Sequence, residues 1–239
     1  MNYNNPPIVE AIFDVRVSGT SDIEDKIEKL GSLFSSKDSI FCNRHEQNRL
    51  DFTVKGNNPS EMNHNHRVDG YVFINEDKSR RVQTTYNGFT FNMLAPYTSW
   101  GDFVSQSFKY WEKYKEAIGE YSIDRIAVRY INKIRIPTDG FEFERYLTSS
   151  PSIPQDLPQT FVAFDSRMVI PDESKTIHAI IRQSFELLPT DEVELIVDVD
   201  AFKQEQFSLD LETDFEKLRE FKNRIFESLI TDSARNTFE

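Results

Sequence analysis

Along residues 126–137, IAVRYINKIRIP, apolar and polar side chains alternate with the period of two that a strand imposes. Ile126, Val128, Tyr130, Asn132, Ile134 and Ile136 share one face, and Arg125, Ala127, Arg129, Ile131, Lys133 and Arg135 share the other. The first face belongs in a core, apart from Asn132; the second is basic. Alternation also predicts a half-buried strand over Ile8–Ser18, with Val9, Ala11, Phe13, Val15 and Val17 inward and Glu10, Asp14 and Arg16 outward. Ser21-Asp22-Ile23-Glu24 reads as a capping box opening a helix with Ile23, Ile27, Leu30 and Phe34 as its stripe. Residues 49–54 alternate again, while 57–65, rich in Gly, Pro and Asn, read as a loop. Strands follow over 71–74, 81–86 and 89–93. Asn87-Gly88 predicts a hairpin, because both residues tolerate positive φ. Ser99-Trp100-Gly101-Asp102 starts a long helix. Its Trp100, Phe103, Val104, Phe108, Trp111 and Ile118 keep helical spacing, with Tyr110 and Tyr114 bordering the stripe.

The plan then repeats. A strand over 123–136 precedes a short helix near 141–147 and a stiff connector at Pro151, Pro154 and Pro158. Strands over 161–170, 177–187 and 193–202 lead to a final helix announced by Thr213-Asp214-Phe215-Glu216. Phe215, Leu218, Ile225, Phe226 and Leu229 form its stripe. Each half, 1–120 and 121–239, reads strand, short helix, three or four strands, long helix. That is the α+β class, with antiparallel sheets packed on long helices. The order resembles the repeat of the TATA-binding-protein fold and also the helix-grip fold, a likeness that licenses no function.

The strand 192–200, EVELIVDVD, offers a counterpart to the basic face. Val193, Leu195, Val197 and Val199 are its apolar side; Glu192, Glu194, Ile196, Asp198 and Asp200 are the other. With Ile131 across from Ile196, Arg129 faces Asp198, Lys133 faces Glu194 and Arg135 faces Glu192. Such opposite-charge pairs contribute roughly 0.2–1 kcal/mol each. The alternative is that Arg129 and its neighbours form an anion or partner site.

Composition narrows the classes. Aromatic residues are 13% of the 239, including 20 Phe, enough for a packed core despite 38% hydrophobic content. The net charge is −12, so duplex nucleic acid, which demands a basic footprint, could bind only at a local patch. One cysteine, Cys42, permits no internal disulfide. The MNYNNPPIVE start lacks a signal-peptide pattern, and no run approaches the ~18 apolar residues of a membrane helix. A soluble, reducing, cytoplasmic setting is expected, with no membrane partner.

Candidate chemistry is sparse. His64 and His66, with Glu61 and Asp69 nearby, are spaced as metal ligands but lie in the loop-like stretch. Glu194, Asp198 and Asp200 could hold a divalent cation for phosphoester hydrolysis, although the alternation already explains them as an outer face. Cys42 with His45 reads as a buried thiol rather than a nucleophile pair, and His178 has no ligand spacing. There is no P-loop, no GxSxG elbow and no dinucleotide fingerprint, so no cofactor is expected. Asn132 must find a partner if buried, since an unpaired amide costs roughly 1–3 kcal/mol. Tyr97 and Trp100, at the mouth of the long helix, read as a packing staple or a ligand platform.

Several stretches together resemble a known family. Pro6-Pro7-Ile8-Val9-Glu10-Ala11, Tyr97 with Trp100, Arg129-Tyr130-Ile131-Asn132 leading to Ile136-Pro137, Pro151-Ser152-Ile153-Pro154 with Leu157-Pro158, and Leu229-Ile230-Thr231-Asp232 carry it. The family is one of prokaryotic proteins of about this length, scattered sporadically among bacteria and archaea, with no established activity. The resemblance implies an accessory gene, such as a defence or toxin-antidote component. The expectation is therefore a non-enzymatic binding protein, dimeric, recognising a protein partner or an anionic ligand through Arg129, Asn132, Tyr97, Trp100, Lys133 and Arg135. The alternatives are the metal-dependent hydrolase and a local-patch nucleic-acid binder.

Overall fold

The computed structural model describes residues 3–19, 22–34, 39–54, 62–149, 152–159 and 162–239, with backbone alone described at 49–54 and 62–66. Among these the order is β1 (Ile8–Ser18), α1 (Ile23–Ser32), β2 (Phe41–Val54), β3 (Met62–Asn75), β4 (Arg80–Thr85), β5 (Gly88–Leu94) and α2 (Trp100–Ile118). Then come β6 (Ser122–Pro137), α3 (Phe143–Tyr146), β7 (Ala163–Pro171), β8 (His178–Leu188), β9 (Glu192–Lys203), α4 (Leu211–Leu229) and α5 (Asp232–Arg235). The strands make one nine-stranded antiparallel sheet packed against helices, in the order β2-β3-β4-β5-β1-β6-β9-β8-β7. The plural sheets expected from sequence are thus a single one, in which β1 and β6 are neighbours. No helix among the described residues is long and apolar enough to cross a membrane.

Two units divide the chain: Met1–Ile12, Leu94–Tyr97 and Arg125–Glu239 form the first, Phe13–Met93 and Thr98–Asp124 the second. In the first, β6 buries Ile126, Val128, Tyr130, Ile134 and Ile136, and β9 buries Val193, Leu195, Val197, Val199 and Ala201. The long helix α4 packs on β9 and buries Phe215, Leu218, Phe221, Ile225 and Phe226. Its start differs from the sequence reading. Asp210 is the N-cap, its carboxylate accepting from Glu212 N at 3.1 Å. Asp214 lies a turn further in and is 1% exposed. It accepts from Lys203 Nζ at 2.8 Å and from Ser208 N at 2.6 Å, so the box-like Thr213-Asp214-Phe215-Glu216 serves a buried ion pair rather than a cap.

In the second unit, Ser99 caps α2 as expected, its hydroxyl accepting from Asp102 N at 3.1 Å. Tyr110 and Tyr114, read as the border of the stripe, are buried at its centre. A ring can be buried when its polar tip finds a partner, and Tyr114 donates to Thr85 O at 2.8 Å. Phe34, Phe41, Phe73 and Tyr110 pack edge-on or tilted, with centroids 4.9–5.6 Å apart.

Three local expectations need correction. Helix α1 is entered through Asp22 at φ 51, which makes no side-chain cap bond; Ser21, the head of the expected box, lies outside the described residues. The β4–β5 hairpin turns at Tyr86-Asn87, since Thr85 pairs with Gly88, and neither Asn87 nor Gly88 has positive φ. Gly88 instead supplies room: a Cβ there would stand 2.8 Å from the Arg16 guanidinium. Of the stretch read as a loop, residues 62–65 pair in β3 with β2; backbone pairing tolerates side chains that carry no apolar pattern. The remainder of that stretch lies outside the described residues.

The buried Lys203–Asp214 pair sets a first prediction. Lys203→Met leaves Asp214 charged and buried, and should cost ~3–5 kcal/mol. Lys203→Met with Asp214→Leu should recover most of the loss. Urea unfolding of the two variants reads this directly; equal losses in both would show that the pair is not the source.

Candidate functional site

The two charged strands do meet. In the β6–β9 ladder Arg129 lies opposite Asp200, Ile131 opposite Asp198, Lys133 opposite Ile196 and Arg135 opposite Glu194. The register is displaced by two residues along β9 from the one expected. A shift of two preserves the faces, whereas a shift of one would have turned every side chain over. Arg129 and Lys133 then pair along diagonals that long side chains can span, and Arg135 pairs directly across. Arg129 donates Nε and Nη2 to the two Asp198 oxygens at 2.7 and 2.6 Å, a bidentate clamp. Lys133 donates to Glu194 Oε1 at 2.6 Å and Arg135 to Oε2 at 3.1 Å, so Arg135 meets Glu194 rather than Glu192. Arg125 reaches Asp200 at 2.7 Å, and Arg182 of β8 stands 3.6 Å from Asp198.

The electrostatics follow from these contacts. The bonds to Asp198 raise the Arg129 guanidinium above its ordinary value, outweighing the burial that opposes charge. Burial alone would raise the Glu194 carboxyl, but hydrogen bonds from Lys133 and Arg135 overcome it and hold the group below the usual carboxylate range. A lowered carboxylate contributes stability that is present above its unfolded value and lost as pH falls through the folded one. Arg129, Lys133 and Arg135 are accordingly engaged within the chain.

The same bonds bear on the metal alternative. Glu194, Asp198 and Asp200 turn oxygens toward ammonium and guanidinium groups, a donor set already matched to cations of the protein itself. Among the described residues, no three His, Cys, Asp or Glu side chains gather as a metal site. Glu61 and the side chains of His64 and His66 lie outside the described residues; Asp69 pairs with Arg67 at 2.9 Å. Cys42 is exposed, not buried. It is the extra residue at a register shift between Phe41 and Asn43. His45 is exposed, and His178 stacks on Phe202 at 5.7 Å.

On the opposite face of β6, Asn132 is 3% exposed and donates to Val197 O, directly across the ladder, at 2.9 Å. Tyr130 and Tyr97 join hydroxyls at 2.8 Å, and burial, then Tyr97, pushes the Tyr130 phenol well up. Trp100, the first residue of α2, packs on Phe103 at 5.8 Å. Lys222 and Gln183 are among the buried polar groups that the sequence reading missed. Lys222 of α4 places Nζ 3.4 Å from the Tyr130 ring centroid and donates to Asn223 Oδ1 at 2.6 Å. Burial, with Arg219 adding to it, lowers the ammonium to about 7. Gln183 of β8 is 3% exposed, and its Nε2 has no partner among the described residues. Both were visible as polar interruptions: Lys222 falls on the stripe between Leu218 and Ile225, and Gln183 between Ile181 and Phe185.

The chain matches no family model and no curated protein.

Two predictions follow from the faces of β6. A double-mutant cycle on Arg129→Ala and Asp198→Ala, read by denaturant unfolding, should give a coupling of ~0.5–1 kcal/mol. A coupling of zero would mean that the clamp does not hold in solution. For Lys222, the folded pKa of about 7 lies below the ordinary 10.5. The unfolded chain therefore binds the extra proton between those values, and stability rises with pH there by at most ~1.4 kcal/mol per unit. Lys222→Met should stabilise by ~1–4 kcal/mol at low pH. That gain should shrink as pH rises from about 7 toward 10.5; a pH-independent gain would place the ammonium in water.

Proposed function

We propose that this chain is a non-enzymatic interaction protein of an accessory system, of the defence or toxin-antidote kind, and that it recognises a protein partner at the edge strand β7 of its first unit. The observation that carries this is where apolar surface lies open. Val162 is 80% exposed, Met168 40% and Val169 47% on or beside β7, and Leu187 of neighbouring β8 is 52% exposed. Among the described residues β7 has no strand on its outer side, so its outward amide and carbonyl groups suit addition of a further strand. An anionic ligand is the weaker half of the sequence expectation, because Arg129, Lys133 and Arg135 already have carboxylates. The motif resemblance to a sporadically distributed family supports the accessory setting. The chain order, strand-helix-four strands-helix followed by strand-helix-three strands-helix, supports reading the chain as two topologically related halves.

The test is affinity capture from the native host with the wild-type chain and with Met168→Lys/Val169→Lys. One stoichiometric protein held by the wild type and lost by the variant is expected. Capture that ignores the variant, or a wild-type chain that holds neither a host protein nor a second copy of itself, overturns the proposal.

A further inference from the structure

Strand β7 reads Ala163-Phe164-Asp165-Ser166-Arg167-Met168-Val169-Ile170-Pro171. Asp165 and Arg167 flank Ser166 on the outer face of the sheet and are both exposed. Asp165 lies opposite Ser184 of β8, and among the described residues no hydrogen bond or ion pair engages it. Arg167 lies opposite Arg182, a like-charge pair across the ladder of the kind that destabilises a sheet. Arg182 leans toward Asp198 at 3.6 Å, which Arg129 already holds through both oxygens. Arg167 itself has no anion among the described residues. The edge therefore presents one acid and one base, two residues apart, both unanswered.

We propose that the occupant of this edge is a second copy of the chain, pairing β7 with β7 antiparallel about a two-fold axis through Ser166. This rests on reading β7 as the interaction edge and names the partner. With that axis, Asp165 faces the copy's Arg167 and Arg167 faces the copy's Asp165. Phe164 faces Met168 and Ala163 faces Val169, each twice by symmetry. All these opposed pairs match apolar with apolar or acid with base. Moving the axis by one residue sets Asp165 against Asp165 or Arg167 against Arg167, so charge selects the register. An incoming carboxylate at Arg167 also answers the repulsion from Arg182. Because each copy uses the same patch, the contact closes as a pair rather than growing into a filament.

Sedimentation equilibrium on five samples tests this: the wild type, Arg167→Asp, Asp165→Arg, an equal mixture of those two variants, and the swap Asp165→Arg/Arg167→Asp. Far-UV circular dichroism checks that each is folded. The wild type should reach twice its 28.0 kDa mass. Each single variant should weaken self-association at least about tenfold, since two attractive pairs become two repulsive ones. Mixing the variants should rebuild a pair, because an acidic edge then meets a basic one, and the swap should dimerise alone. A wild-type monomer at roughly 100 μM, or single variants that dimerise as tightly as the wild type, overturns the two-fold pairing. The edge reading is judged separately: if Met168→Lys/Val169→Lys still abolishes capture of a different host protein, β7 remains the docking edge and only the second copy is wrong.

Discussion

The antiparallel pairing of β6 with β9 is the constraint on which the rest of the first unit depends. Twelve consecutive residue pairs, from Ile126 with Lys203 to Pro137 with Glu192, commit both strands to one register. Their parity decides everything that follows. It sends Val128, Tyr130, Ile134, Val197 and Val199 to one buried side, where α4 packs on β9, and brings Arg129, Lys133, Asp198 and Glu194 together on the other. It also sets Asn132 across from the Val197 carbonyl, so the one polar residue on the inner face of β6 costs little. Pro7 joins the same scheme, its carbonyl accepting from Lys133 N at 2.9 Å.

Charged groups are handled in two different ways on the two faces. Outside, carboxylates and cations form a continuous mesh in which Asp198 and Glu194 each serve two basic side chains. Such a mesh contributes modestly to stability, each exposed pair adding little by itself. Inside, Lys203 and Asp214 neutralise each other in a site nearly closed to solvent, and Lys222 meets the face of Tyr130 and the amide oxygen of Asn223. Groups so placed restrict how α4 can rotate on the sheet, since any other seating strands a charge.

How legible this was depends on the kind of information a residue carries. The bounds of β1, the faces of β6 and β9 and the Ser99 cap were plain, because alternation and capping are written within a few neighbouring residues. Register was not: period-two alternation is unchanged by a shift of two, so Ile131 could be matched to Ile196 when it lies beside Asp198. The start of α4 was misplaced because Asp214 has the chemistry of a cap and the location of a core residue. Strands β2 and β3 escaped notice over their polar stretches because backbone hydrogen bonding leaves no mark in the side chains. Of the candidate residues, Arg129, Lys133, Arg135, Asn132 and Tyr97 fall in the first unit. Their roles emerged only with the long-range partners Asp198, Glu194, Val197 and Tyr130, which no local pattern announces.

The bulge in β2 has a practical side. The extra residue there is Cys42, the chain's single thiol, and it is exposed. A maleimide dye or spin label can therefore be attached at one defined position without engineering, in the second unit and on a different strand from β7. The same accessibility gives two chains a covalent route to each other through air oxidation. Any measurement of how many copies associate belongs in a reducing buffer, where a Cys42–Cys42 link cannot be mistaken for the pairing of strands.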